Sequence, residues 1–131
     1  MFAEKAFELI KDLHRSQDNL PLFNDEGVRQ VLEEIQFIFD ENQRDALVEG
    51  HRDEGFTSTI SFRHMAFERN KRCLIAYLYN RLRRIRQIRW EFGSILPAEV
   101  RANLGNSEFV WFTKYCKCLA TYMETIGREP D

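Results

Sequence analysis

Apolar residues recur along this chain at intervals of three and four, the period of an amphipathic helix. From Phe2 to about Arg15, Phe2, Ala6, Leu9, Ile10 and Leu13 share one sector, with Glu4, Glu8, Lys11, Asp12 and Arg15 opposite. The stretch SQDNLP breaks that pattern, because Pro21 cannot continue a helix and Ser16, Asp18 and Asn19 favour turns. A second helix is expected to start near Asn24 or Asp25, either of which caps free backbone N–H groups. Val28, Val31, Leu32, Ile35, Ile38 and Phe39 form its stripe, and Phe37 points away from it.

Residues 45–58 carry two glycines and dense charge with little periodicity, and read as a loop. The third helix is the centre of the pattern, from about Ser61, a candidate cap, to Phe92, with Gly93 as its stop. Its length, up to about 32 residues or roughly 48 Å, overhangs a small bundle, so part of it calls for a partner. Pro97 opens a short turn of helix, which the stretch Asn103 to Asn106 interrupts. The last helix is expected from Ser107 to just before Gly127, with Phe109, Trp111, Phe112, Tyr115, Cys116, Leu119, Tyr122, Met123 and Ile126 in a wide apolar sector. No alternation of period two and no internal repeat is visible. The expected fold is all-α: a helical bundle built around one long central helix.

The totals narrow the class. A length of 131 residues fits one domain, and 44% hydrophobic with 31% charged residues is a globular balance rather than a disordered one. Aromatics reach 13%, rich for so small a chain, and some of those rings are candidates for an interface. Cys73, Cys116 and Cys118 are an odd number, which argues against a disulfide framework and for a reducing compartment. No run approaches the roughly 18–20 apolar residues of a membrane span. The opening MFAEKAFELIKDLHR has neither the apolar region of a secretory signal nor the acid-poor bias of a mitochondrial one. The net charge of −2 hides an asymmetry: residues 1–54 hold 14 acids and 6 bases, residues 55–131 hold 7 acids and 13 bases.

The strongest local signal is RNKRCLIAYLYNRLRRIRQIRW, with eight bases and no acid between Arg69 and Arg89. Wound on a helix, the bases form no single stripe. Leu74, Leu78, Leu82 and Ile85 define an apolar line, with Arg81 and Arg89 close to it and Arg86 at its edge, while Arg69, Arg83 and Arg84 fall on the far side. A guanidinium set among leucines must meet a carboxylate or backbone carbonyls, since an unpaired buried charge is costly. Glu33, Glu34, Asp40 and Glu41 of the second helix are candidate partners, as are acids of another subunit. Three readings compete: internal packing with exposed arginines, a protein–protein interface with paired arginines, and nucleic-acid contact. A phosphate-tracking surface should gather its bases on one side, whereas these surround the helix.

Catalytic and metal chemistry find no footing. Cys116 and Cys118 diverge around a helix, and His14, His51 and His64 show no ligand spacing. There is no Gly-x-Ser-x-Gly elbow and no close glycine spacing for a phosphate loop. The adjacent acids Glu33-Glu34 and Asp40-Glu41 diverge on a helix and read as solvated faces. No enzyme activity and no cofactor are expected.

The run from Arg69 to Pro97, RNKRCLIAYLYNRLRRIRQIRWEFGSILP, closely resembles the central helix of the GINS replication-complex subunits of the Psf-one type (Partner of Sld Five, number one). MFAEKAFELIKDLHR at the N-terminus, LPLFNDEGVRQVLEE at 20–34 and CLATYM at 118–123 resemble the same family. The resemblance implies a non-catalytic structural subunit of a nuclear tetramer, joined by the MCM hexamer and the Cdc-forty-five protein in the CMG helicase that opens DNA for the initiation and elongation of replication. It implies the other three GINS subunits as partners, the Sld-five type closest, with DNA touched only indirectly and no membrane. It also implies that 1–126 is the α-helical core domain, that 127–131 begins a linker, and that the family's C-terminal β-rich domain is lacking here.

The helical wheel nominates Tyr77, Leu78, Arg81, Arg84, Ile85, Ile88, Arg89 and Trp90 as partner-binding residues of the subunit interface. The alternative is a nucleic-acid-binding module using the Arg-rich helix through Arg83, Arg84 and Arg86.

Overall fold

A computed structural model describes residues 2–17, 19–47 and 54–127, and every regular element among them is a helix. The first, α1 (Glu4–Arg15), turns Ala6, Leu9 and Leu13 inward, as the pattern requires. It starts two residues later than expected because Ala3 holds a left-handed φ of 69°, while its N–H donates to Glu34 at 3.3 Å. The helix α2 (Asp25–Ala46) begins where its cap stands: Asn24 Oδ1 accepts from the Gly27 N–H at 2.8 Å. Val31 and Ile38 of its stripe are buried, whereas Leu32 and Phe39 are exposed, as is Phe37.

The central helix α3 spans Glu54–Phe92, 39 residues, and is longer than its sequence suggests. Ser61 therefore lies inside it and caps nothing. The loop expected over 45–58 shrinks accordingly: residues 45–46 close α2, 54–58 belong to α3, and 48–53 lie outside the described residues. Tertiary contacts hold the added turns against the cost of about 1 kcal/mol for a helical glycine such as Gly55. Arg63 pairs with Asp45 and lies 3.9 Å from Glu41, and the Asn42 amide donates to the Ile60 carbonyl at 3.3 Å. Gly93, at φ 87°, stops the helix in a conformation open to glycine, and its N–H bonds the Arg89 carbonyl.

The helix α4 (Ala98–Asn103) follows Pro97, and α5 runs Asn106–Gly127. The latter starts one residue before Ser107 and includes Gly127. Of the expected linker, residues 128–131 lie outside the described residues, as does Asp18 of the SQDNLP turn.

Two compact units divide the chain: Met1–Gln17 with Asn24–Tyr79, and Asp18–Phe23 with Asn80–Asp131. In the first, α1 packs on α2, and the interior is built from Ala3, Ala6, Leu9, Leu13, Val31, Ile38, Ala66, Leu74 and Tyr77. The Tyr77 hydroxyl accepts from the Asn24 N–H at 3.1 Å, tying α3 to the head of α2. In the second, Leu20, Ile85, Ile88 and Phe112 form the core, with Leu82, Leu96, Val100, Leu104, Trp111 and Cys116 packed around it.

Candidate functional site

Within the first unit, α3 presents two faces. Ala66, Leu74 and Tyr77 point into the core. A second row, Phe62, Met65, Arg69, Arg72, Ala76 and Tyr79, advances by alternating steps of three and four, the spacing that keeps one seam toward a facing helix. In the chain by itself this seam is open: Phe62 is 61% exposed, Met65 70% and Tyr79 60%, and Arg69 and Arg72 are exposed between them. Phe62, Met65, Arg69 and Arg72 line a groove of about 800 Å³ together with Phe2 and Ala3. Single exposed apolar residues are ordinary, but three of them along one line at coiled-coil spacing make this face a candidate interaction surface.

The eight residues nominated from sequence separate by burial. Tyr77, Arg81, Ile85 and Ile88 are spent on the chain's own interior, while Leu78, Arg84 and Arg89 are half-buried and Trp90 is 59% exposed. Of these last four, Arg84 is already bonded to Asn19 O, and Leu78, Arg89 and Trp90 keep surface open to a partner. The structure thus shifts weight toward Phe62, Met65 and Tyr79, which the wheel centred on Leu74, Leu78, Leu82 and Ile85 passes over. The signal for them was present: the same three-four spacing, displaced around the helix and interrupted by arginines.

Arg81 shows what its surroundings demand. It is fully buried, and its carboxylate comes from α5 of the same unit: Nε donates to Glu108 Oε2 at 2.8 Å and Nη2 to Oε1 at 3.0 Å. This corrects the search for a partner among Glu33, Glu34, Asp40 and Glu41 or on another polypeptide. Nη1 donates to the Pro21 carbonyl at 2.7 Å and Nη2 to that of Asn103 at 3.0 Å, and the guanidinium lies 5.3 Å from the Phe23 ring centre. The stretch 19–23 belongs to no regular element that would take its carbonyls, so side chains take them. Arg84 donates to Asn19 O at 2.7 Å and the Asn103 amide to Leu20 O at 3.0 Å, while the Phe23 N–H returns a bond to Asn103 O at 2.9 Å.

Near the end of α3, Trp90 donates its indole N–H to the Tyr115 hydroxyl at 3.2 Å, and Tyr115 stacks on Trp111 with centres 5.3 Å apart. Arg83, Arg86 and Gln87 line a cleft of about 590 Å³ with Trp90, Glu91 and Tyr115.

Among the described residues, no group of three or more His, Cys, Asp or Glu side chains is placed to hold a metal ion, and no helix is long and apolar enough to cross a membrane. His51 lies outside the described residues.

Comparison with known proteins gives a concordant result. The model of the Sld5 family, described as the GINS complex protein helical bundle domain, matches residues 29–127. The chain is 49% identical over 133 residues to a Xenopus laevis protein named DNA replication complex GINS protein PSF1, covering 98% of this chain and 67% of that one. It is 48% identical over 130 residues to the Homo sapiens protein of that name, covering 97% and 66%. The Schizosaccharomyces pombe protein is 30% identical over 131 residues, covering 90% and 64%. The chain thus spans about two thirds of the length of these relatives.

Proposed function

The chain belongs to the family of the GINS complex helical bundle domain, as a subunit of the Psf-one type, and from that premise we propose that it is a non-catalytic structural subunit of a nuclear GINS tetramer acting in DNA replication. Its partners in this reading are the other three subunits, the Sld-five type closest, and through them the MCM hexamer and the Cdc-forty-five protein of the CMG helicase. The observation that carries the reading is the open seam Phe62, Met65, Arg69, Arg72 and Tyr79 on α3. A facing helix with apolar residues opposite Phe62, Met65 and Tyr79 and acids opposite the two arginines covers it at the spacing it already has. Leu78 and Arg89 are the further contact candidates.

The test is co-purification of the full-length protein with its three sister subunits. Met65→Asp combined with Phe62→Asp places two charges in the seam and no charge in the core. We expect recovery of the sister subunits to fall at least tenfold while the variant's own thermal melt stays within a few degrees of wild type. Undiminished recovery rejects the seam as the subunit interface.

A further inference from the structure

The seam does not use the cleft on the second unit, and we infer that this cleft, between the end of α3 and α5, docks an acidic peptide segment of a protein partner. Arg83 and Arg86 stand one turn apart on α3, both exposed, and neither has an ion pair or a side-chain hydrogen bond among the described residues. Two guanidiniums at that spacing match two carboxylates one turn apart on a facing helix, or two residues apart on an extended strand. Neighbouring arginines contrast with them: Arg81 is spent on Glu108, and Arg84 is held by Asn19 O.

The floor of the cleft is prepared for contact. The Tyr115 hydroxyl takes the Trp90 indole N–H, and Tyr115 is itself stacked on Trp111. Trp90 is therefore fixed in orientation with its only donor satisfied, yet 59% exposed. What it offers a visitor is ring surface, suited to an apolar side chain beside the two acids. Trp, Tyr and Arg together are the residue types that carry most binding energy at protein interfaces.

Glu91 decides between classes of partner. It lines the same cleft. A nucleic-acid strand bears a charge at every phosphate and is repelled there, whereas a peptide brings carboxylates to Arg83 and Arg86 and a neutral or basic residue to Glu91. The inference goes beyond subunit assembly, and its failure is separable from failure of that reading: co-purification reports on assembly before any probe is added.

The experiment is fluorescence anisotropy on the full-length protein, in complex with its sister subunits where they co-purify. The probe is a labelled helical peptide carrying two Glu one turn apart and a Leu one turn further along the same face. Its controls are the same peptide with Gln for Glu, the same peptide with Lys for Glu, and a labelled oligothymidine. We expect saturable binding of the Glu peptide, at least tenfold tighter than the Gln peptide. Arg83→Glu with Arg86→Glu should abolish it and gain affinity for the Lys peptide. Gln87→Glu, an exposed change that adds one acid to the cleft, should weaken it several-fold. Absence of saturable binding overturns the inference, as does equal binding of the Glu and Gln peptides. Tighter oligothymidine binding that the double variant removes overturns it in favour of a nucleic-acid site.

Discussion

Arg81 and Glu108, 27 residues apart in sequence, meet in a fork-to-fork pair at 2.8 and 3.0 Å, with the arginine fully buried and the glutamate side chain nearly so. The pair does more than neutralise charge. Glu108 Oε1 also accepts the Gly105 N–H at 3.0 Å, the return half of a capping box at the head of α5. Arg81 meanwhile fixes the backbone at Pro21 and Asn103. One ion pair thus joins α3, the start of α5, the end of α4 and the irregular stretch before α2.

Removing one member leaves the other charged and buried, which costs about 3–5 kcal/mol. Arg81→Ala and Glu108→Ala should each destabilise the full-length protein by that order in urea unfolding, and the double variant by less than the sum of the two. Additive losses would show that the two side chains hold their positions independently.

Gly27 is the second sensitive point. Asn24 caps α2 through the Gly27 N–H, and a Cβ added at residue 27 would stand 2.7 Å from Leu9 Cδ2 and 2.8 Å from Asn24 Nδ2. Helix propensity alone favours alanine there by about 1 kcal/mol. The contact with buried Leu9 and the displaced cap outweigh that gain, since overpacking costs about 1–3 kcal/mol. Gly27→Ala should therefore lower the melting temperature, and Asn24→Ala, losing only the cap, should cost about 1 kcal/mol. A rise on Gly27→Ala would show that Leu9 moves aside freely.

How far the sequence carries the fold is clear from these elements. Asn24 and Gly93 announce the head of α2 and the end of α3 because capping and left-handed turns are local chemistry. The start of α3 is not local. Gly55 and the surrounding charges hide it, and contacts of Arg63 and the Ile60 carbonyl with Asp45 and Asn42 of α2 sustain it. That Arg81 needed an acid was legible from its place among leucines. Which acid was not, because periodicity carries no information on how α5 lies against α3. The open seam was missed for a related reason: arginines at 69 and 72 lower its hydrophobicity, so the stripe through Leu74 reads as the stronger face.

Gln17 ends α1 in the left-handed region, φ 53°, with its N–H bonded to the His14 carbonyl at 3.1 Å. An L residue pays about 1–2 kcal/mol there that glycine does not. The side chain is exposed, so its removal forfeits no packing. Gln17→Gly should stabilise the protein by about 1 kcal/mol, less whatever glycine's greater freedom in the unfolded chain takes back. A denaturant midpoint at or below wild type would mean that this turn does not hold the left-handed conformation in solution.

The first turns of α2 carry a charge pair whose effect is readable by pH. Arg29 Nη2 lies 2.6 Å from both carboxylate oxygens of Glu26, and its Nη1 bonds Glu33 at 3.1 Å. The hydrogen bond from Arg29, and then its charge, hold the Glu26 carboxyl below its ordinary value of 4.5. A carboxylate depressed on folding contributes stability that is present above its unfolded value and lost as pH falls through its folded one. The window therefore lies below pH 4.5. The pair is exposed, so salt should weaken it. Carbon-detected NMR titration of Glu26 should show a midpoint below the ordinary glutamate value, and Arg29→Ala should move it upward. A midpoint that ignores the loss of Arg29 would show that the pair does not persist in water.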